Sequence, residues 1–324
     1  MPKQSRFFPA ILFSLSIISL ASWSFYDSFI PVQEDCADVK KLTGLEDRGP
    51  CSEQAPFAAR VQIQEKEGQR IIHSNSIPKH KIGKFGRISG SLNPNALRPQ
   101  DKVYHLPLHP QKSSSITPLL DPKRGPQYMF GIMRNGVLID PEAAEPWPHR
   151  GIFHLGKVNW EWNLDAMQIN LGLDCNNAHV QPNGKYHYHG APSLYLASLK
   201  TSKDKMTLLG YAADGFPIYD NYGYAQADDP SSEVIALRSS YHLKEGERPG
   251  NGIQAPCGKY SGLYTNDFEY RLGSGDLDEC NGRFGVTPEH PEGTYYYIIT
   301  RDQFPYIPRC LVGRPSRDFN IGRP

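Results

Sequence analysis

No block of like charges occurs in this 324-residue chain, and its formal net charge is +1. Without a basic patch there is no electrostatic footprint for nucleic acid. Motifs for phosphate loops, dinucleotide turns, the serine nucleophile elbow and the zincin helix are all missing, and those enzyme classes lose their support with them. Past the N-terminal segment no apolar run reaches the ~20 residues of a membrane span, so a membrane contact is expected only there. Cys-x-x-Cys is absent as well, which argues against a thiolate metal site.

What is present leans towards strands and turns. Eighteen Tyr and fourteen Phe favour strands over long helices, and 29 Gly with 28 Pro supply many turns. The expected fold is mostly β, hairpin-rich and disulfide-stabilised, with short helices. Val61-Gln62-Ile63-Gln64 and Arg70-Ile71-Ile72-His73 flank Glu67-Gly68 as an opening hairpin. Tyr128 to Ile139 folds over Asn135-Gly136, a pair that accepts the positive φ angles of a tight turn. Leu208 to Tyr219 passes through Asp214-Gly215, and Ser193 to Leu199 is the best short helix. Trp147, Trp160 and Trp162 are read as core aromatics or as a wall near the histidines described below.

The N-terminus reads as an export address. Lys3 and Arg6 precede an apolar run from Phe7 to Leu20, and Ser19-Leu20-Ala21 is a small-x-small cleavage site. Residues 1–21 are therefore expected to be a signal peptide, with an uncleaved anchor as the competing reading. Either places the body of the protein outside the cytoplasm, secreted or in the periplasm or cell envelope. An even number of cysteines, six, suits such an oxidising compartment. Cys36 and Cys51 are expected to staple a polar extension over residues 22–59. Of the three pairings open to Cys175, Cys257, Cys280 and Cys310, Cys280–Cys310 with Cys175–Cys257 is favoured. A thiolate ligand role stays open for Cys175 alone, because it lies near the histidines.

The densest chemistry lies between Leu173 and Pro192. Tyr186-His187-Tyr188-His189 reads as a strand entered through Pro182-Asn183-Gly184. Alternation puts His187 and His189 on one face, about 7 Å apart along the strand, and Tyr186 and Tyr188 on the other. With a three-residue loop His179 falls opposite His187 and joins that face; with Asn183-Gly184 alone it faces away. Asp174 and Asp214 are the carboxylates expected nearest, as alternative ligands or as acceptors fixing a histidine tautomer. Their plainer reading is turn and cap chemistry. Imidazole nitrogens suit zinc and copper, not calcium, and no choice between the two follows from the sequence.

An internal echo supports a duplication. Leu173-Asp174-Cys175-Asn176 up to Tyr186-His187-Tyr188-His189 recurs as Leu277-Asp278-Glu279-Cys280-Asn281 up to Tyr295-Tyr296-Tyr297-Ile298. The second copy keeps the tyrosine face and has Tyr296 and Ile298 in place of His187 and His189.

These segments resemble the YHYH protein family, named for the tetrapeptide. Further likeness lies in Ser74-Asn75-Ser76-Ile77-Pro78-Lys79-His80, in Asn135-Gly136 through Asp140-Pro141, in Asp214-Gly215-Phe216-Pro217-Ile218-Tyr219 and in Leu277 to Arg283. The resemblance covers roughly residues 60–313, with 314–324 as a tail. It implies a secreted or envelope protein that binds a metal ion, and it adds His80 as a ligand candidate. No settled reaction or catalytic residue comes with it. Three functions remain in play: a metal-binding protein, a metal-assisted hydrolase with Asp214 or Asp174 as base, and a glycan- or ligand-binding module with structural histidines.

Overall fold

The computed structural model describes residues 47–148 and 158–321. The expected signal peptide and Cys36 lie outside them. The described chain is mostly strand, with one short α-helix, Ser193–Ser198. No helix among the described residues is long and apolar enough to cross a membrane. The opening hairpin pairs Val61–Lys66 with Gln69–Ser74, and Lys102–Pro107 adds a third strand.

An eight-stranded sheet organises the rest. We number its strands β1 (Gly131–Met133), β2 (Leu138–Ile139), β3 (Ala178–Val180), β4 (Tyr186–Tyr188), β5 (Leu208–Ala212), β6 (Pro217–Tyr219), β7 (Gly282–Thr287) and β8 (His290–Ile298). Their order across the sheet is β3-β4-β2-β1-β5-β6-β8-β7. Adding four to each label of the first half gives the second half read backwards. Pairing types repeat the palindrome: β4–β2 and β6–β8 are parallel, and every other neighbour is antiparallel. The sheet is two copies of one four-stranded unit, related by a pseudo-two-fold axis between β1 and β5.

The sequence explains how the copies meet. Met133 pairs with Gly210 and Gly131 with Ala212, so each copy sets a glycine at the seam. A Cβ added at Gly131 or Gly210 would strike the Tyr211 or Ile132 carbonyl oxygen of the other copy. Only residues without side chains let the backbones close there.

Hydrogen bonding matches the copies residue by residue. Asp174, Asn177 and His189 donate their N–H to the carbonyls of Ala178, Asp174 and Asn177 at 2.8, 2.9 and 2.7 Å. Asp278, Asn281 and Ile298 donate to Gly282, Asp278 and Asn281 at 2.8, 2.9 and 3.0 Å. Asn177 and Asn281 each adopt the left-handed conformation, φ 52°, which asparagine tolerates better than most residues.

Tyrosine dominates this core. Tyr186, Tyr188, Tyr295 and Tyr297 are fully or nearly fully buried, so each hydroxyl needs a partner. Tyr186 donates to Asp174 Oδ2 at 2.8 Å and Tyr295 to Asp278 Oδ1 at 3.0 Å. Tyr188 accepts from Asn135 Nδ2 at 2.8 Å, and Tyr297 donates to Asp214 Oδ2 at 2.6 Å. Trp147 and Trp162 belong to a separate core cluster with Leu263 and Tyr264.

Two disulfides close within the described residues, Cys51–Cys175 and Cys280–Cys310. The second was expected. The first overturns both Cys36–Cys51 and Cys175–Cys257, and it rules out a thiolate role for Cys175. The reason is a backbone contact no local pattern announces. Gly49 donates its N–H to Leu173 O at 2.9 Å, which brings Cys51 within 5.5 Å of Cys175 between Cα atoms. Cys257 is also disulfide-bonded.

Candidate metal centre

The register of the β3–β4 hairpin decides the site. His179 pairs with His187, with Gln181 donating its N–H to Lys185 O across the three residues Pro182-Asn183-Gly184. His179, His187 and His189 therefore share one face. Their ring centroids lie 4.8, 4.9 and 4.5 Å apart, and each offers a ring nitrogen within 4.8 Å of the others. His189 Nε2 and His179 Nε2 are 3.1 Å apart.

The protonation pattern suits ligation. His179 Nδ1 lies 2.9 Å from Leu171 O, a carbonyl that can only accept, so Nδ1 carries the hydrogen and Nε2 the lone pair. Nδ1 of His187 and Nδ1 of His189 are buried and make no hydrogen bond of good geometry, though the backbone carbonyls of Lys185 and Asp140 lie near enough to oppose the lowering of the two pKa values. Burial pushes the pKa of both rings well below the ordinary histidine value, and the neighbouring histidines push further. Burial lowers that of His179 too, opposed by its bond to Leu171. All three are held neutral, the state a metal requires.

One carboxylate that was not among the sequence candidates, Asp140, lies at the end of the neighbouring strand. Leu138 and Ile139 of β2 run parallel to His187 and Tyr188, and Asp140 follows, donating its N–H to Tyr188 O at 2.8 Å. In parallel pairing, neighbours point to the same side, so Asp140 shares the face of His189. It is 4 % exposed, and burial raises its pKa to about 7, offset by the Glu142 N–H it accepts. Glu142 and Asp165 are buried with it, and Arg309 bridges them at 3.2 and 2.6 Å. The signal available was the duplication: Asp140 occupies the position of Tyr219, whose ring packs 5.6 Å from Tyr296, the counterpart of His187.

The remaining candidates lie elsewhere. His80 is on the tyrosine face, its Nε2 2.6 Å from Tyr188 Oη and its Nδ1 2.8 Å from Lys81 O. It is not part of the three-histidine group. Asp174 also serves that face, accepting from Tyr186 and from Gly83 N at 2.9 Å. Asp214 belongs to the second copy, where it accepts from Tyr297 and Gly313. Strand alternation separates His80 and Asp174 from the imidazoles, and the pseudo-two-fold separates Asp214 from them. Neither carboxylate is placed to act as a base there.

The second copy lacks the donor set. Arg283 stands where His179 does, opposite Tyr296. Its Nε donates to Tyr296 Oη at 2.6 Å, and Ile298 fills the place of His189. The same scaffold thus carries an Arg283–Tyr296 hydrogen bond in one copy and three convergent imidazoles in the other.

The sequence model of the YHYH protein family matches residues 103–313, more than half of the chain. Comparison with curated proteins and with solved structures gave no match.

Proposed function

Because the chain belongs to the YHYH protein family, we propose that it binds a transition metal, zinc or copper, through His179, His187 and His189, and does so outside the cytoplasm. The observation that carries this reading is the convergence of three neutral imidazoles on one face of the hairpin, each with a ring nitrogen within 4.8 Å of the others. Two nitrogens bound to one tetrahedral zinc, each about 2.0–2.1 Å from it, would be about 3.3 Å apart. The two Nε2 atoms are already 3.1 Å apart. Three neutral imidazoles bring no charge of their own, and the Asp140 carboxyl, its pKa raised to about 7 by burial, lies on the same side at the end of the neighbouring strand. The described disulfides suit an oxidising compartment.

Three protein ligands leave a coordination position for water, the arrangement of catalytic rather than structural zinc sites. The hydrolase reading draws its support from that count, with Asp140 replacing Asp174 and Asp214 as the carboxylate at hand. The glycan-module reading loses ground, because the histidines converge and Trp147 and Trp162 are core residues.

The test exchanges the site for the second copy's residues. His187→Tyr with His189→Ile keeps strand propensity and places side chains that this scaffold already packs. Calorimetric titration should give one zinc or copper per wild-type chain and none for the double variant. Equal binding by both would overturn the site. Affinity should fall with acid, because a protonated imidazole cannot coordinate. Three ordinary imidazoles would lose about a thousandfold between pH 7.5 and 5.5. The depressed pKa values here predict a smaller loss over that range.

A further inference from the structure

The two copies differ on the tyrosine face as well. In the second copy, strand Cys310–Gly313 closes over it. Val312 donates its N–H to Tyr297 Oη at 2.8 Å, and Gly313 donates to Asp214 Oδ2 at 2.9 Å. Ser316 then donates its N–H to Ala213 O at 2.8 Å, so the chain from 310 to 316 covers both Ala213 and Asp214.

The first copy is not closed in this way. Asn135 is the counterpart of Asp214, since each lies in a hairpin turn and hydrogen-bonds the second tyrosine of its strand. His80 Nε2 takes the place of the Val312 N–H at the tyrosine hydroxyl. Among the described residues no strand takes the place of Cys310–Gly313 beyond it. A cleft of about 440 Å³ remains, lined by Lys79, His80, Arg134 and Asn135. Its apolar walls are Val61, Ile63, Leu199 and the ring of Tyr195.

Charge has changed along with shape. Arg134 stands where the second copy has Ala213, and Asn135 where it has Asp214. Among the described residues no carboxylate lines the cleft, and neither Lys79 nor Arg134 forms an ion pair. The neighbouring cleft of about 700 Å³, which shares Val61 and Lys79, sets Asp101 against Arg60 and Lys79. Two unpaired cations beside an apolar wall complement a ligand with one anionic end and one apolar end.

We propose that this cleft binds a small organic acid, a carboxylate bearing an apolar chain or ring. Lys79 and Arg134 hold the carboxylate, and Val61, Ile63, Leu199 and Tyr195 hold the apolar part. The site lies on the opposite side of strand β4 from the three histidines and is independent of them.

Sodium octanoate is a suitable probe, titrated calorimetrically into the intact exported protein in the presence of a chelator. Acetate keeps the charge alone, and 1-octanol the chain alone. Octanoate should bind at one site, with acetate and octanol each at least about tenfold weaker. Lys79→Gln with Arg134→Gln, both exposed substitutions, should weaken octanoate by about tenfold or more, as expected for lost charge-assisted hydrogen bonds. Absence of saturable octanoate binding, equal binding of octanol, or unchanged affinity in the double variant would each overturn the assignment.

Discussion

Two halves of one sheet share a backbone and differ in what they leave unfinished. In the half built from β5 to β8, Arg283 bonds Tyr296 and strand Cys310–Gly313 covers Tyr297 and Asp214. The half built from β1 to β4 has three convergent imidazoles on one face and, among the described residues, a cationic cleft on the other. Since the same hairpin geometry is stable with Tyr296 and Ile298, packing alone did not require His187 and His189. Their buried Nδ1 atoms cost stability that an isosteric apolar pair would spare. The comparison separates scaffold from function inside a single chain: what both copies keep is structural, and what only the first has is the candidate site.

The largest effect should come from reversing the exchange. Arg283→His, Tyr296→His and Ile298→His together place three imidazoles at the positions of His179, His187 and His189. If the copies are as equivalent as their hydrogen bonds, metal stoichiometry should rise from one to two per chain. A triple variant that folds and still takes up one ion would break the equivalence of the two copies.

The disulfides offer a second contrast. Cys51–Cys175 and Cys280–Cys310 each tie an outlying segment to the turn before a copy's hairpin. Replacing either pair with serine should cost about 2–5 kcal/mol in chemical denaturation. Only the first replacement should also weaken metal binding, because Cys175 and Asn177 set the start of β3. Equal losses of metal affinity from both would dissolve the distinction.

The sequence carried the duplication further than it carried the site. Asn135-Gly136 and Asp214-Gly215 marked the two hairpins, and the Leu-Asp and Tyr-x-Tyr segments marked their partners. Alternation put His187 and His189 on one face, but loop length left His179 open, since both registers satisfy the same turn residues. His80 and Asp174 were misplaced because closeness in a motif says nothing about which side of the strand a distant segment approaches. Cys51–Cys175 depends on Gly49 running beside Leu173 across a separation of 124 residues between the cysteines. Asp140 escaped notice because its importance comes from parallel pairing with β4, a contact without a local signature.

The smallest effect concerns Asp214 and Asn135, the acid and the amide that occupy equivalent turns. Burial raises the Asp214 pKa to about 6 from an ordinary value of 3.8, opposed by the bonds from Tyr297, Gly313 and Phe216. A carboxyl with a raised folded pKa keeps its proton longer in the folded state than in the unfolded state. The unfolded chain therefore binds fewer protons between about pH 4 and 6, and stability falls as pH rises through that window. Two units correspond to about 3 kcal/mol, complete above pH 6. Asp214→Asn removes this dependence; its amide oxygen can keep the bonds from Tyr297 and Gly313, which turns Nδ2 towards the Phe216 N–H. Phe216 N–H then loses its acceptor, at a cost of about 1–3 kcal/mol. The variant should be less stable than wild type at pH 4 and close to it at pH 7, and Asn135→Asp should show the opposite trend. Denaturation midpoints at the two pH values measure the gap for each variant, and the histidines titrate alike in all three proteins and cancel. A gap that does not change with pH would mean that Asp214 is charged throughout, stabilised by Tyr297 and Gly313 beyond the cost of its burial.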